Sequence, residues 1–248
     1  MADDYSTMKE LIKALLRKPH LFDFARRFMV SCGLRVGYYK NKNKSIVSKY
    51  FNENLFPSLH IGCGNHILSG WLNADYFPQY ARNVIHLDAT KPFPFKNHSY
   101  AYIYSEHMIE HLSYSDGWQM LLECNRILKP DGKIRITTPD LAFLIALYNN
   151  GPTKLQSDYI KWITRESIKY APYCHETFVI NNFVRDWGHQ FIYDESTLRW
   201  LMEKVGFKKI TRWELGESDD VALKFLENEE RLPAGFLRLE SFALEGTK

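Results

Sequence analysis

Residues 58–65, Ser58-Leu-His-Ile-Gly-Cys-Gly-Asn65, decide the fold. Ser58–Ile61 reads as a short buried strand, and Gly62-Cys-Gly-Asn65 as the loop that ends it. Glycine carries no Cβ, so Gly62 and Gly64 let the backbone approach a ligand closely. The same texture recurs downstream. Trp71–Ala74 reads as a strand ending at Asp75, Asn83–Leu87 as one ending at Asp88, and Tyr100–Tyr104 as one followed by Ser105-Glu-His107. A helix over Ser115–Leu128, with Met120, Cys124, Ile127 and Leu128 on one face, leads through the turn Lys129-Pro-Asp-Gly132 to a fifth strand, Lys133–Thr138, ending at Pro139-Asp140. Short apolar runs alternating with helices predict parallel β/α units.

Working outward, Met8, Leu11, Ile12, Leu15 and Leu16 recur at helical spacing, Pro19 breaks the pattern, and a second short helix is expected over Leu21–Met29. Lys40-Asn-Lys-Asn-Lys44 reads as an exposed loop. Residues 1–56 are thus expected to form a helical extension, and 57–248 the main domain. Residues 141–190, longer than a simple crossover needs, are expected to cap a site. Glu195–Val205 reads as a helix ending at Gly206, Lys208–Trp213 as strand six, and Phe236–Glu245 as a closing strand.

Strand ends carry the chemistry. Asp75 is placed to accept hydrogen bonds from two ribose hydroxyls, and Asp88 to meet an exocyclic amine, with the Ala89 backbone beside it. In an open α/β sheet ligands lie beyond the carboxyl ends of the strands, where all these residues fall. A single Gly-x-Gly or loop aspartate is a weak signal; the ordered set on successive strand ends points to a nucleotide-type ligand. Eleven positions separate Gly64 from Asp75, against about twenty in a common dinucleotide fold, so a truncated first helix is expected.

Leu59-His-Ile-Gly-Cys-Gly64, Asp88-Ala-Thr-Lys-Pro-Phe-Pro-Phe95, Ser105-Glu-His-Met-Ile-Glu-His-Leu112 and Ile127-Leu-Lys-Pro-Asp-Gly-Lys133 resemble the class I S-adenosylmethionine-dependent methyltransferases. Gly70-Trp-Leu-Asn-Ala-Asp75, Thr138-Pro-Asp-Leu141 and Gly188-His-Gln-Phe-Ile-Tyr193 are similar to a narrower group associated with surface-polysaccharide and other glycan pathways. The resemblance implies a Rossmann-like α/β fold with a mainly parallel seven-stranded sheet, the last strand antiparallel. It implies S-adenosylmethionine as cofactor and S-adenosylhomocysteine as product. Gly62, Cys63, Gly64 and Asn65 would lie along the methionine and ribose portion, Asp75 and Tyr76 at the ribose, Asp88 and Ala89 at the adenine, and Ser105 near the reactive end. His60 stands where the family usually has an acid, and Asn65 and His66 replace its third glycine region.

The expected reaction is O-methylation of a sugar or glycan hydroxyl; a small metabolite acceptor and a non-catalytic cofactor-binding module are the alternatives. Methyl transfer needs mainly alignment, and a hydroxyl acceptor gains from a base within reach. Three bases are candidates: His107, Asp140 and His189. Each has a structural alternative, as helix cap for His107 and Asp140 and as a backbone-bonded ring for His189. His107-Met-Ile-Glu-His111 also matches an inverted zinc-protease pattern, but spacing supplies no third ligand, so no metal is expected. Tyr148, Tyr159, Trp162, Tyr170, Tyr173, Phe178, Trp187 and His175 of the cap suit either a sugar-gripping wall or a core.

Composition bounds the rest. The 248 residues are 45% hydrophobic and 25% charged, with net charge +3, too mild to imply nucleic acid. Residues 1–56 hold eleven Lys/Arg against five Asp/Glu, so peripheral membrane contact through this basic segment is an expectation to set beside plain solvation. Cys32, Cys63, Cys124 and Cys174 have no disulfide-like spacing, no apolar run approaches a membrane span, and the polar start is unlike a signal peptide. A cytoplasmic protein is expected; the oligomeric state is not encoded legibly.

Overall fold

The computed structural model describes residues 36–78 and 83–248. The helices expected over Met8–Leu16 and Leu21–Met29 lie outside the described residues. The chain divides into two compact units, Met1–Ser48 and Lys49–Lys248. The first helix among the described residues, α1 (Val36–Glu53), covers the stretch expected as the Lys40–Lys44 loop. Lysine is a good helix former and asparagine costs only tenths of a kcal/mol per residue, so a polar run continues a helix it does not break. In the second unit the Tyr50 hydroxyl accepts from Ser58 N (2.9 Å) and contacts the carbonyls of Ser58 (3.0 Å) and Gly70 (2.9 Å), fixing the entry to β1.

A seven-stranded sheet organises this unit: β1 (Ser58–Ile61), β2 (Leu72–Asp75), β3 (Val84–His86), β4 (Tyr100–Glu106), β5 (Leu128–Pro139), β6 (Lys208–Trp213) and β7 (Ser241–Thr247). The order is β3-β2-β1-β4-β5-β7-β6. β1 to β5 run parallel, and β7 pairs antiparallel with both β5 and β6. This is the mainly parallel, doubly wound sheet the sequence predicts, with its chain reversal between β1 and β4. β1 is buried throughout, as a parallel strand covered on both faces must be. Edge strand β6 instead exposes Lys208, Lys209, Thr211 and Arg212, charges that discourage edge-to-edge pairing.

β5 begins earlier than expected. Tyr100 pairs with Leu128 but Tyr102 with Lys133, so Lys129-Pro-Asp-Gly132 forms a bulge inside the strand, with Asp131 at φ 61°. Phe236–Glu245 is also not one strand. Gly235, at φ 83°, starts a five-residue helix over Phe236–Glu240, and β7 runs from Ser241 to Thr247. Apolar alternation there reflected burial of β7 between β5 and β6 rather than a longer strand.

The remaining helices are α2 (Tyr114–Ile127), α3 (Leu141–Asn149), α4 (Lys154–Ser167), α5 (Glu176–Arg185), α6 (Glu195–Lys204) and α7 (Phe236–Glu240). The Ser113 side chain caps α2 by accepting from Asp116 N, and Met120, Leu121, Cys124 and Ile127 bury its inner face. Thr153 and Gln156 form a capping box on α4. Residues 141–190 are therefore three helices, joined by a core that includes Leu144, Leu147, Tyr159, Ile163 and Phe183. Among the described residues, no helix separates β1 from β2, where one turn (His66 N to Cys63 O, 2.8 Å) replaces it. No described helix is long and apolar enough to cross a membrane.

Candidate active site

The loop after β1 is held by β2. Gly62 N and Cys63 N both donate to Ala74 O (2.9 and 3.0 Å), and Gly64 N donates to Asp75 Oδ2 (2.9 Å). Asp75 Oδ1 accepts from Phe77 N (2.6 Å). Each carboxylate oxygen has two lone pairs, so Asp75 keeps acceptor capacity after shaping its own loop. Gly62 lies at φ 73°, and a Cβ there would collide with the Met108 side chain. Gly64, at φ 51°, faces open space. Cys63 is buried, Asn65 exposed, and Tyr76 packs edge-on against Phe77. Asp88 Oδ1 accepts from Thr90 N (3.0 Å) and Oγ1 (2.7 Å), with half-buried Ala89 in the same turn. Ser105 is paired with Ile61 in the sheet, and its buried hydroxyl has no hydrogen-bond partner.

At the carboxyl ends of β4 and β5 lies a cavity of about 360 Å³. His107, Glu110, His111 and His189 line it together with Trp162 and Trp187 of the cap. Two of the three base candidates therefore meet here. His107 caps no helix: it stands at φ 46° directly after β4, and the short turn that follows has Met108 at its start with no side-chain cap. Its Nε2 lies 2.8 Å from Ser241 Oγ and its Nδ1 3.3 Å from Glu110 Oε1. The His189 ring contacts Phe183 O through Nδ1 (2.7 Å), and burial lowers its pKa. Asp140 is elsewhere: it caps α3, accepting from Ala142 N (2.9 Å), with Arg212 3.6 Å away. Of the cap aromatics, Tyr148, Tyr170 and Tyr173 are exposed, and Tyr159 is core, with its hydroxyl on Glu240.

The sequence matches a family model described as a methyltransferase domain over residues 36–212. The chain belongs to this family. The cofactor of this methyltransferase is S-adenosylmethionine. No curated protein matches the sequence. Among solved structures, the methyltransferase resembles a SAM-dependent methyltransferase from Archaeoglobus fulgidus at 16% identity, over 92% of this chain and 99% of that one, with a TM-score of 0.49. It resembles an S-adenosylmethionine-dependent methyltransferase from Mesorhizobium loti at 13% identity, over 77% and 90% of the two chains, with a TM-score of 0.48. A Haemonchus contortus phosphoethanolamine N-methyltransferase, crystallised with S-adenosylhomocysteine, is 13% identical over 84% of this chain and 52% of its own, with a TM-score of 0.41.

In this methyltransferase His60 is a structural residue. It is 1% exposed, its Nδ1 lies 3.1 Å from Asn73 Oδ1, and its ring packs on Tyr104. Burial lowers its pKa to about 4, so it is neutral at pH 7. An unfolded histidine titrates near 6.5. Between these values only the unfolded state binds the proton. The His60 contribution is thus fully present above pH 6.5 and is lost as pH falls towards 4, by roughly 3 kcal/mol. Urea denaturation of wild type and His60→Gln at pH 7 and pH 4.5 should show a smaller acid-induced loss in the variant; equal losses would contradict the assignment.

The sequence pattern gives no signal for Glu106 or Glu240 at the site, and brings in Glu110 and His111 only through the H-x-x-E-H spacing. Glu106, the last residue of β4, is 8% exposed and holds Asn228 N (3.2 Å) with His66 Nδ1 3.4 Å away. Its position in the Ser105-Glu-His107 run was visible, but not its turn towards the glycine loop. Glu240 lines the cavity from α7, where the sequence pattern predicts a strand.

Proposed function

We propose that this methyltransferase methylates a hydroxyl of a sugar or related polyol, with His107 as general base. The observation that carries this reading is the cavity itself. An imidazole beside a buried carboxylate stands in a wall shared with two tryptophan rings, one residue before Met108, whose side chain lies against Gly62. Indole faces and polar edges suit the alternating apolar and hydroxyl surfaces of a sugar.

The residues of the loop fit the cofactor. Gly64 leaves open space for close approach, Asp75 retains lone pairs for the ribose hydroxyls, and Asp88 Oδ2 has no partner among the described residues. The unpartnered Ser105 hydroxyl supplies a further polar contact near Gly62. Glu106, with its Oε2 3.4 Å from His66 Nδ1 just past the loop, is the carboxylate assigned to the methionine ammonium in place of the missing acid at position 60. When bound, S-adenosylmethionine supplies a methyl group already activated on sulfur. The chain aligns the acceptor, excludes water and takes its proton, from which most of the acceleration then comes.

Incubation with methyl-labelled S-adenosylmethionine and a panel of mono- and oligosaccharides, followed by mass analysis, is expected to give an O-methylated sugar. Label transfer only to amines or carbon nucleophiles would overturn the hydroxyl reading.

A further inference from the structure

The geometry points to a divalent transition-metal site formed by Glu110, His111 and His189 in the wall of the cavity. One ligand atom from each, a carboxylate oxygen and two ring nitrogens, lies within 4.8 Å of the others. Zinc bonds of about 2.0–2.1 Å set such atoms roughly 3.4 Å apart, so small side-chain rotations complete the site. Two imidazoles and one carboxylate, without sulfur, form a set suited to zinc, iron(II), cobalt(II) or manganese(II) rather than calcium.

Each ligand is prepared for a cation. The Glu110 side chain is wholly buried; Oε2 accepts from Thr138 Oγ1 (3.1 Å), while Oε1 has no hydrogen bond. His107 Nδ1, 3.3 Å from Oε1, is not aligned to donate. A buried carboxylate oxygen without a donor is rare in a folded protein and asks for a positive partner. His189 points Nδ1 at the Phe183 carbonyl, which fixes the tautomer and leaves the Nε2 lone pair free, as second-sphere partners of metal-bound histidines do. The His111 ring makes no side-chain hydrogen bond among the described residues and meets the His189 ring edge-on at 4.8 Å.

The pairing is built into the backbone. Gln190 N and Phe191 N both donate to Glu110 O (2.7 and 3.2 Å), and Gln190 Nε2 donates to His111 O (2.7 Å). Just before His189 the chain turns through two left-handed residues, Trp187 at φ 58° and Gly188 at φ 81°. The H-x-x-E-H spacing suggested His107 and His111 as ligands with nothing to complete them. The fold instead makes Glu110 a ligand, adds His189 and leaves His107 outside the set. Any role of the ion in turnover, offering a coordination position to the acceptor oxygen, rests on the methyl-transfer reading; its binding does not.

The test uses the full chain, stripped with chelator, titrated with Zn²⁺ by calorimetry and with Co²⁺ by visible absorption. One equivalent is expected to bind. His111→Ala and His189→Ala are each expected to weaken it by about a hundredfold or more, and Thr138→Val by about tenfold. His107→Ala should bind as wild type, and circular dichroism verifies the fold of each variant. Failure of the folded wild type to take up either ion, or wild-type binding by both His111→Ala and His189→Ala, would overturn the site. S-adenosylhomocysteine binding on the same preparation separates the two claims, since either can fail while the other stands.

Discussion

Replacing His107 by alanine is expected to lower methyl transfer to the acceptor by about 10²–10⁴-fold, the range a positioned general base contributes. Affinity for S-adenosylhomocysteine should be unchanged, because His107 lies on the acceptor side of Met108, whose side chain packs against Gly62. His107 lines the cavity, and the buried Glu110 carboxylate stands beside its Nδ1 edge. Burial alone would raise the Glu110 pKa, yet the neighbouring His107 and His111 rings outweigh it and hold the group below its usual range. In the proposed reaction the charge of an anionic Glu110, 3.3 Å from Nδ1, would stabilise through space the imidazolium formed as the acceptor loses its proton. In the proposed reaction the acceptor hydroxyl would compete with Ser241 Oγ for Nε2. The measurement is the single-turnover rate at saturating cofactor for wild type, His107→Ala and His107→Gln. A large fall of the rate in both variants is expected; full single-turnover rates in both would remove His107 from the chemistry.

The second large effect concerns the fold. Arg135 is 0% exposed in the middle of β5. It donates to Glu227 Oε1 (2.6 Å), to Glu245 Oε1 (2.6 Å), and to the carbonyls of Glu217 (2.8 Å) and Glu214 (3.3 Å). Glu227 also accepts from Thr137 Oγ1 and Gly216 N (both 2.8 Å), and Glu245 from Ser218 Oγ (3.0 Å). Removing this cation leaves two carboxylates without the counter-charge that is hydrogen-bonded to both. Arg135→Met should therefore destabilise by about 3–5 kcal/mol, the usual result of breaking a buried pair from one side. That is a large part of the roughly 5–15 kcal/mol available to a typical domain. Adding Glu227→Gln and Glu245→Gln should restore much of the loss, since the desolvation cost of the charges then disappears with them. Urea denaturation at pH 7 measures both; a loss below about 1 kcal/mol in Arg135→Met would contradict the arrangement.

These two predictions mark what the sequence discloses and what it conceals. The positions of the Gly62–Asn65 loop, Asp75 and Asp88 at or just beyond the ends of β1, β2 and β3 were legible, and strand ends converge in a doubly wound sheet wherever the helices lie. The eleven-residue step from Gly64 to Asp75 correctly foretold the lost helix, since the chain has room only for a turn. Arg135 and its partners were invisible. Glu227 and Glu245 lie 92 and 110 residues away, and a charge inside an apolar strand shows no sign of its partners. The same distance hid the joining of His111 to the His189 loop, linked by a hydrogen bond spanning 79 residues. Asp140 was read correctly as a possible cap, but its place outside the cavity depends on how α3 leaves β5. At Phe236–Glu240, period-two hydrophobicity and a single helical turn place much the same residues inside, so pattern alone could not separate them.

The most direct test of the central claim is calorimetric titration of the full chain with S-adenosylhomocysteine, beside Asp75→Ala and Glu106→Gln variants verified as folded. Asp75 shapes the loop through Gly64 N and Phe77 N and would also hold the ribose, so its loss should abolish detectable binding. Glu106→Gln keeps the shape but removes the charge, and should weaken binding by about tenfold, one exposed-to-buried charge-assisted contact being worth roughly 1.5 kcal/mol. One saturable site in the wild type, lost in the first variant and weakened in the second, is the expected result. A folded wild-type protein that takes up no S-adenosylhomocysteine, or an Asp75→Ala variant that binds it as tightly, would contradict it.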